Sequence, residues 1–156
     1  MKIFISHKKE DTLEALQIQN TLKYYGMETY LDILDESIKE GGKSLTDHIK
    51  RQLNSCTDII VVMSEQTKLS WWVPFEVGMS AQIDMPTATF LHGDISLPSY
   101  LSYWPRLKNL NDVTTYIKVR KKVEASSQRL QEHYSAAERR KIQTELFYDA
   151  LKRELR

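Results

Sequence analysis

The run Thr57-Asp58-Ile59-Ile60-Val61-Val62-Met63-Ser64 constrains this chain more than any other stretch. Its apolar positions are consecutive instead of alternating, so as a strand it sends hydrophobic side chains to both faces of a sheet. Such a strand is stable only where both faces are covered. Residues 2–6, 27–31 and 87–91 read as companion strands. Between them, Asp11-Thr12-Leu13-Glu14 has the pattern of a capping box, and Ala15, Ile18, Leu22 and Tyr25 follow at spacings of three and four. Gly26 stands where that helix must end. Leu45, Ile49 and Leu53 mark a second amphipathic helix, and residues 70–82 a third. Four cycles of strand and helix predict an α/β fold, a doubly wound parallel sheet of four to five strands with helices on both faces. A fifth strand is not evident.

Past residue 92 the pattern loosens through Leu97-Pro98 and Trp104-Pro105, and two helices follow. The first runs from about Asp112 with Val113, Tyr116, Ile117 and Val123 inward. The second opens on a capping box, Ser135-Ala136-Ala137-Glu138, and turns Ile142, Leu146, Ala150 and Leu151 inward. At 156 residues the chain is expected to be one domain, with a core of about 1–110 and a helical extension of about 111–156. The segment 32–44 holds Gly41-Gly42 and six charged residues, and it is longer than a packing connection requires.

The totals narrow the function classes. No apolar run approaches the length of a membrane span, and residues 1–6 are too short for a signal peptide, so a cytoplasmic protein without a membrane partner is expected. The single Cys56 excludes internal disulfides and thiolate zinc clusters, and it is expected to be buried and inert. Net charge is +1, but residues 1–116 carry 11 basic and 15 acidic groups while residues 117–156 carry 11 and 6. The basic positions Lys118, Arg120, Lys121, Lys122, Arg139, Arg140 and Lys141 alternate with apolar and acidic ones, which reads as a solvated helix face and not as a nucleic-acid surface.

Open parallel sheets bind ligands outside the carboxyl ends of their strands. That edge gathers Ser6 and His7, Asp32, Ser64, and the start of the helix in Ser70-Trp71-Trp72-Val73-Pro74-Phe75-Glu76. Ser70 suits an N-cap and Pro74 a first turn. Trp72 and Glu76, four residues apart, share one helix face. On residue types alone two readings stand side by side: Trp71 and Phe75 as core with Glu76 as a first-turn charge, or an aromatic plate beside a working acid. No Gly-rich phosphate loop follows any strand, and no HExxH or paired-Cys set occurs, so P-loop, dinucleotide-fold and metal chemistry are not expected. His48, His92 and His133 read as surface residues.

Taken in order, Ile3-Phe4-Ile5-Ser6-His7, the strand ending Leu31-Asp32, the Glu36 to Gly42 loop, the Asp58 to Ser64 strand and Ser70 to Glu76 resemble Toll/interleukin receptor (TIR) domains. More narrowly they are similar to the TIR-like ThsB group of the Thoeris antiphage defence system, over roughly residues 1–95. The Trp72–Glu76 spacing is similar to the WxxxE motif of TIR enzymes that make cyclic ADP-ribose isomers. Trp71 before it, Val73 after it and Pro74 within it depart from common versions of that motif.

The resemblance implies NAD as substrate, with no cofactor and no metal, and cleavage of the nicotinamide–ribose bond. Nicotinamide leaves as a neutral ring and leaves behind an oxocarbenium-like ribose that a carboxylate can stabilise or trap. Glu76 has that role, ionised at neutral pH as an ordinary Glu is. Trp72 would stack on a ring and fold the product back so that ADP-ribose itself, not water, attacks. Ser6 and His7 match the nicotinamide end, and Asp32 matches a hydroxyl-binding or loop-capping position. The 36–42 loop matches a segment that packs on a neighbouring subunit, implying self-association through that loop and the helices, and a diffusible product that reaches a separate effector. Two other readings are carried beside this one: a non-enzymatic TIR-like interaction scaffold, and a transferase acting on N-glycosidic bonds of nucleosides.

Overall fold

The computed structural model describes residues 1–31, 42–127 and 134–156. Asp32, the loop 36–42 apart from Gly42, and His133 lie outside the described residues. The strands are β1 (Lys2–Ser6), β2 (Glu28–Leu31), β3 (Asp58–Met63), β4 (Thr87–Leu91) and β5 (Arg106–Leu107). They form one parallel sheet in the order β2-β1-β3-β4-β5. The fifth strand is only two residues long, too short to leave a periodic signal in the sequence. It brings the sheet to the upper end of the expected four to five.

β3 is central and buried at every position. Ile60 and Val62 face one layer, built on α1 (Thr12–Tyr24), α4 (Leu110–Ser126) and α5 (Ala136–Glu154). Ile59, Val61 and Met63 face the other, built on α2 (Gly42–Asn54) and α3 (Trp72–Gln82). The consecutive apolar run therefore feeds two separate cores, which is why it cannot alternate. α4 and α5 belong fully to the first core, where Tyr116 and Phe147 meet edge-on at 4.9 Å.

Several local expectations are met and others corrected. Gly26 adopts φ 75°, and Met27 N–H reaches Leu22 C=O at 3.0 Å while Gly26 N–H reaches Lys23 C=O at 2.9 Å, a Schellman end to α1. The capping box at Ser135 and Glu138 is formed. That at Asp11 is not: Asp11 is 2% exposed and makes no side-chain cap, because its carboxylate is taken by hydroxyls of a neighbouring segment. α2 begins at Gly42, inside the segment expected to be loop. On α5 Leu151 is buried and Ala150 packs partly buried against the core as expected, whereas Leu146 is 48% exposed and Thr144 and Phe147 are buried in addition.

Arg120 is not part of a solvated face. Its Nε donates to Asp58 Oδ1 at 2.8 Å, beside the Tyr116 hydroxyl donating to the same oxygen at 2.8 Å. Cys56 is buried, and burial pushes its thiol upward. Among the described residues no helix is long and apolar enough to cross a membrane.

Candidate functional site

The strand order reverses between β1 and β3: α1 leads from β1 to β2 on one side, and the chain then returns to place β3 on the other. A crevice opens at such a reversal, outside the carboxyl ends of the strands. β1 delivers Ser6 and His7 there, and the connection after β3 delivers the start of α3. Ser70 Oγ accepts from the N–H groups of Trp72 at 3.2 Å and Val73 at 3.3 Å, so it holds the first turn from one residue before the cap position. Pro74 sits in that turn, where its missing N–H has no helical partner to lose.

Once the turn is set, Glu76 falls on the inner face, 1% exposed. The Ser6 hydroxyl, fully buried, donates to Glu76 Oε2. Of the two readings of this helix, the one that buries Trp71 and Phe75 is overturned. Trp71 is 90% exposed and Phe75 37% exposed, while the carboxylate is inside. The helix has few strong apolar contrasts around its circumference, and position relative to the sheet, not hydrophobicity, sets which residue goes in.

Trp72 stands one turn before Glu76 and lies edge-on to Phe75, with ring centroids 5.9 Å apart. Together His7, Trp71, Trp72 and Glu76 line a cavity of about 300 Å³ at the switch point, and Lys8, Lys9 and Glu10 form its opposite wall. The structure thus brings together four of the five expected site residues: Ser6 and Glu76 in contact, with His7 and Trp72 beside them. Asp32 lies outside the described residues. His7 is 5% exposed, its Nε2 3.5 Å from Thr12 Oγ1.

Ser64 belongs to a neighbouring network. Its hydroxyl donates to Asp11 Oδ2 at 2.6 Å, and Thr67 Oγ1 donates to the same oxygen. Asp11, Lys8, Lys9 and Glu10 are the residues that sequence reasoning leaves out of this edge. Their signal is position alone, since they follow directly after the strand end that carries Ser6 and His7. Of the histidines expected at the surface, His48 is half-buried with Nε2 2.9 Å from the Tyr30 hydroxyl, and His92 is exposed.

The sequence model of the TIR domain family matches residues 3–133. The chain belongs to the TIR domain family. The match continues past residue 95 and takes in α4, in keeping with the place of that helix in the first core. No curated protein matches the chain by sequence. Among solved structures, this TIR domain resembles a 2-deoxyribosyltransferase from the psychrotolerant bacterium Bacillus psychrosaccharolyticus, with TM-score 0.59, 14% identity, and 72% of this chain and 90% of that one covered. It also resembles the interleukin-17 receptor B SEFIR domain, with TM-score 0.52, 13% identity, and 76% and 92% covered. At these identities the likeness is one of fold. The TIR domains of the activated Roq1 resistosome align over 99% of this chain and 96% of that one, at 14% identity and TM-score 0.47.

Proposed function

We propose that this TIR domain cleaves NAD at the nicotinamide–ribose bond and forms a cyclic ADP-ribose-type nucleotide that activates a separate effector, as in antiphage defence of the Thoeris kind, with the ThsB group as its narrower kin. The observation that carries the reading is the burial of Glu76, 1% exposed, at a cavity shared with Trp72 and tied by the Ser6 hydroxyl. Desolvating a carboxylate costs several kcal/mol, on the order of what a whole salt bridge returns. A helix packed only for stability has no use for that expense, and such groups gather where chemistry is done.

A cavity of about 300 Å³ suits the nicotinamide riboside end of NAD and leaves the rest of the dinucleotide over the rim. Lys8 and Lys9 on the wall face the path of the diphosphate, and Trp72 offers a ring for stacking. As the C–N bond breaks, its electron pair leaves with nicotinamide and positive charge develops on the ribose. The Glu76 carboxylate stabilises that charge, and the Ser6 hydroxyl keeps it aimed. A nucleophilic atom of the ADP-ribose folded back against Trp72 then closes the ring in place of water. By the resemblance alone, since Asp32 and residues 36–41 lie outside the described residues, Asp32 is assigned a hydroxyl-binding or loop-capping place and the 36–42 loop the contact with a neighbouring copy, and activity is expected to grow with self-association.

The test is nicotinamide release from NAD by purified protein, dilute and concentrated, with product mass. Release that rises with concentration, falls by a factor of about 10² to 10³ in Glu76→Ala, and yields a product one water lighter than ADP-ribose is expected. Equal release from Glu76→Ala would refute the assignment. The exposure of Trp71 (90%) and Leu69 (76%) at the cavity mouth favours one alternative, a scaffold that uses this rim as an adhesive surface. In that case Trp71→Ala abolishes assembly and Glu76→Ala does not affect it. Base exchange between deoxynucleosides, run in the same assay, would assign the site to N-glycosidic transfer instead.

A further inference from the structure

We propose that Glu14 and His92 bind a divalent metal ion of the zinc class, with Asp11 orienting the histidine from behind. His92 follows the end of β4 and lies over the first turn of α1, apart from the residues that line the Glu76 cavity. Both of its ring nitrogens meet carboxylates: Nδ1 is 3.3 Å from Asp11 Oδ1, and Nε2 is 3.2 Å from Glu14 Oε1. A neutral imidazole carries one N–H, so one of these contacts sets a lone pair against a carboxylate oxygen. A cation between the two resolves the conflict.

The surroundings choose which nitrogen takes it. Asp11 is 2% exposed, and its Oδ2 is already held by the hydroxyls of Ser64 and Thr67, which leaves Oδ1 aimed at Nδ1. An Nδ1–H donated to that oxygen presents the Nε2 lone pair to Glu14. This is the carboxylate–histidine–metal order, in which a buried acid sets the tautomer and raises the basicity of the ligand.

Two donors bonded at about 2.0–2.1 Å to a tetrahedral ion stand roughly 3.3 Å apart, close to the 3.2 Å between Nε2 and Oε1. The donor atoms of all three residues lie within 4.8 Å of one another. An imidazole–carboxylate pair selects zinc, cobalt or nickel over calcium and magnesium, which take oxygen. Side-chain exposures of 46% for His92 and 23% for Glu14 leave room for water in the remaining positions and a path for the ion to enter. An ion here fastens the end of β4 to the first turn of α1, which follows directly in the chain after cavity residues 8–10.

The experiment is calorimetric titration of the chelator-stripped full chain with zinc, repeated with cobalt, whose visible absorption reports the coordination geometry and should change in His92→Gln. One ion per chain is expected. Affinity should drop at least about tenfold in His92→Gln and in Glu14→Gln, two partly exposed positions where circular dichroism checks the fold, and about 10- to 100-fold in Asp11→Asn. Absence of stoichiometric zinc binding would overturn the proposal. Binding undiminished in His92→Gln and Glu14→Gln would overturn it as well, since the ligands would then lie elsewhere.

Discussion

Replacing Arg120 by Met should destabilise this domain strongly, although the side chain lies at the margin of the core. Asp58 is fully buried at the start of β3, and its Oδ1 has two donors, the Tyr116 hydroxyl and the Arg120 Nε, each at 2.8 Å. Its Oδ2 has no hydrogen-bond partner among the described residues. Arg120 is 11% exposed, with its guanidinium 5.7 Å from the centre of the Phe147 ring. Met keeps most of the stem that packs there but removes the charge, leaving a buried carboxylate with one neutral donor. Breaking a buried pair from one side costs about 3–5 kcal/mol, because the remaining charge is uncompensated.

At about 2.1 cal/mol/K per residue, the unfolding entropy of a 156-residue domain is roughly 0.33 kcal/mol/K. The melting temperature should therefore fall by about 9–15 °C. The companion Asp58→Asn, Arg120→Met double variant removes both charges, and it should recover about 1–3 kcal/mol of that loss through the coupling between contacting residues. Chemical denaturation of the four proteins closes the cycle. A fall of less than about 2 °C in Arg120→Met, or a double variant whose loss is the plain sum of the two singles, would refute the reasoning.

Backbone conformation predicts two changes of opposite sign at helix ends. Gly26 has φ 75° with nothing within 4 Å of an added Cβ, so Gly26→Ala should cost about 1 kcal/mol from backbone strain alone, read as a shift in denaturation midpoint. Asp84 ends α3 at φ 51°, and Asp84→Gly should be neutral to stabilising by up to about 1 kcal/mol in the same measurement. Ser70→Ala removes the acceptor of two first-turn N–H groups and should cost about 1 kcal/mol, with a further loss of any activity that depends on Glu76. Burial first of all pushes the Tyr148 hydroxyl up to about 12, against the donated Thr87 N–H. A raised pKa in the folded state means that its contribution, about 2–3 kcal/mol, is whole below pH 10 and is lost as the pH climbs toward 12. Stability measured from pH 9 upward should decline through that window, and less steeply in Tyr148→Phe.

The parts of this molecule legible in the sequence are those fixed by patterns of one residue class. β3 announces two-sided burial because a strand between two helical layers needs apolar side chains on both faces, as Ile59 to Met63 supply. Gly26 and Ser135 announce helix ends because few residues do their work. The errors at polar positions have one cause, which is that a polar side chain has the same local appearance whichever partner it finds. Asp11 reads as a cap, yet Ser64 and Thr67, more than fifty residues away, take its carboxylate. Arg120 reads as solvated because its partner Asp58 is 62 residues distant. Leu146, expected inward, is exposed while Phe147 beside it is buried, because a stripe of period 3.6 leaves its phase open until a partner such as Tyr116 selects the larger ring.

The same limit governs the cavity. The spacing of Trp72 and Glu76 places them on one face of α3, but only the sheet says that this face looks inward, toward the hydroxyl that ends β1. The Trp at position 71, more hydrophobic than Glu76 by any scale, is turned out to solvent so that the acid can be turned in. A helix that buries a carboxylate beside Val73 and Val77 does so at a stability cost. That inversion, more than the four-residue spacing itself, is what makes Glu76 the residue to substitute first.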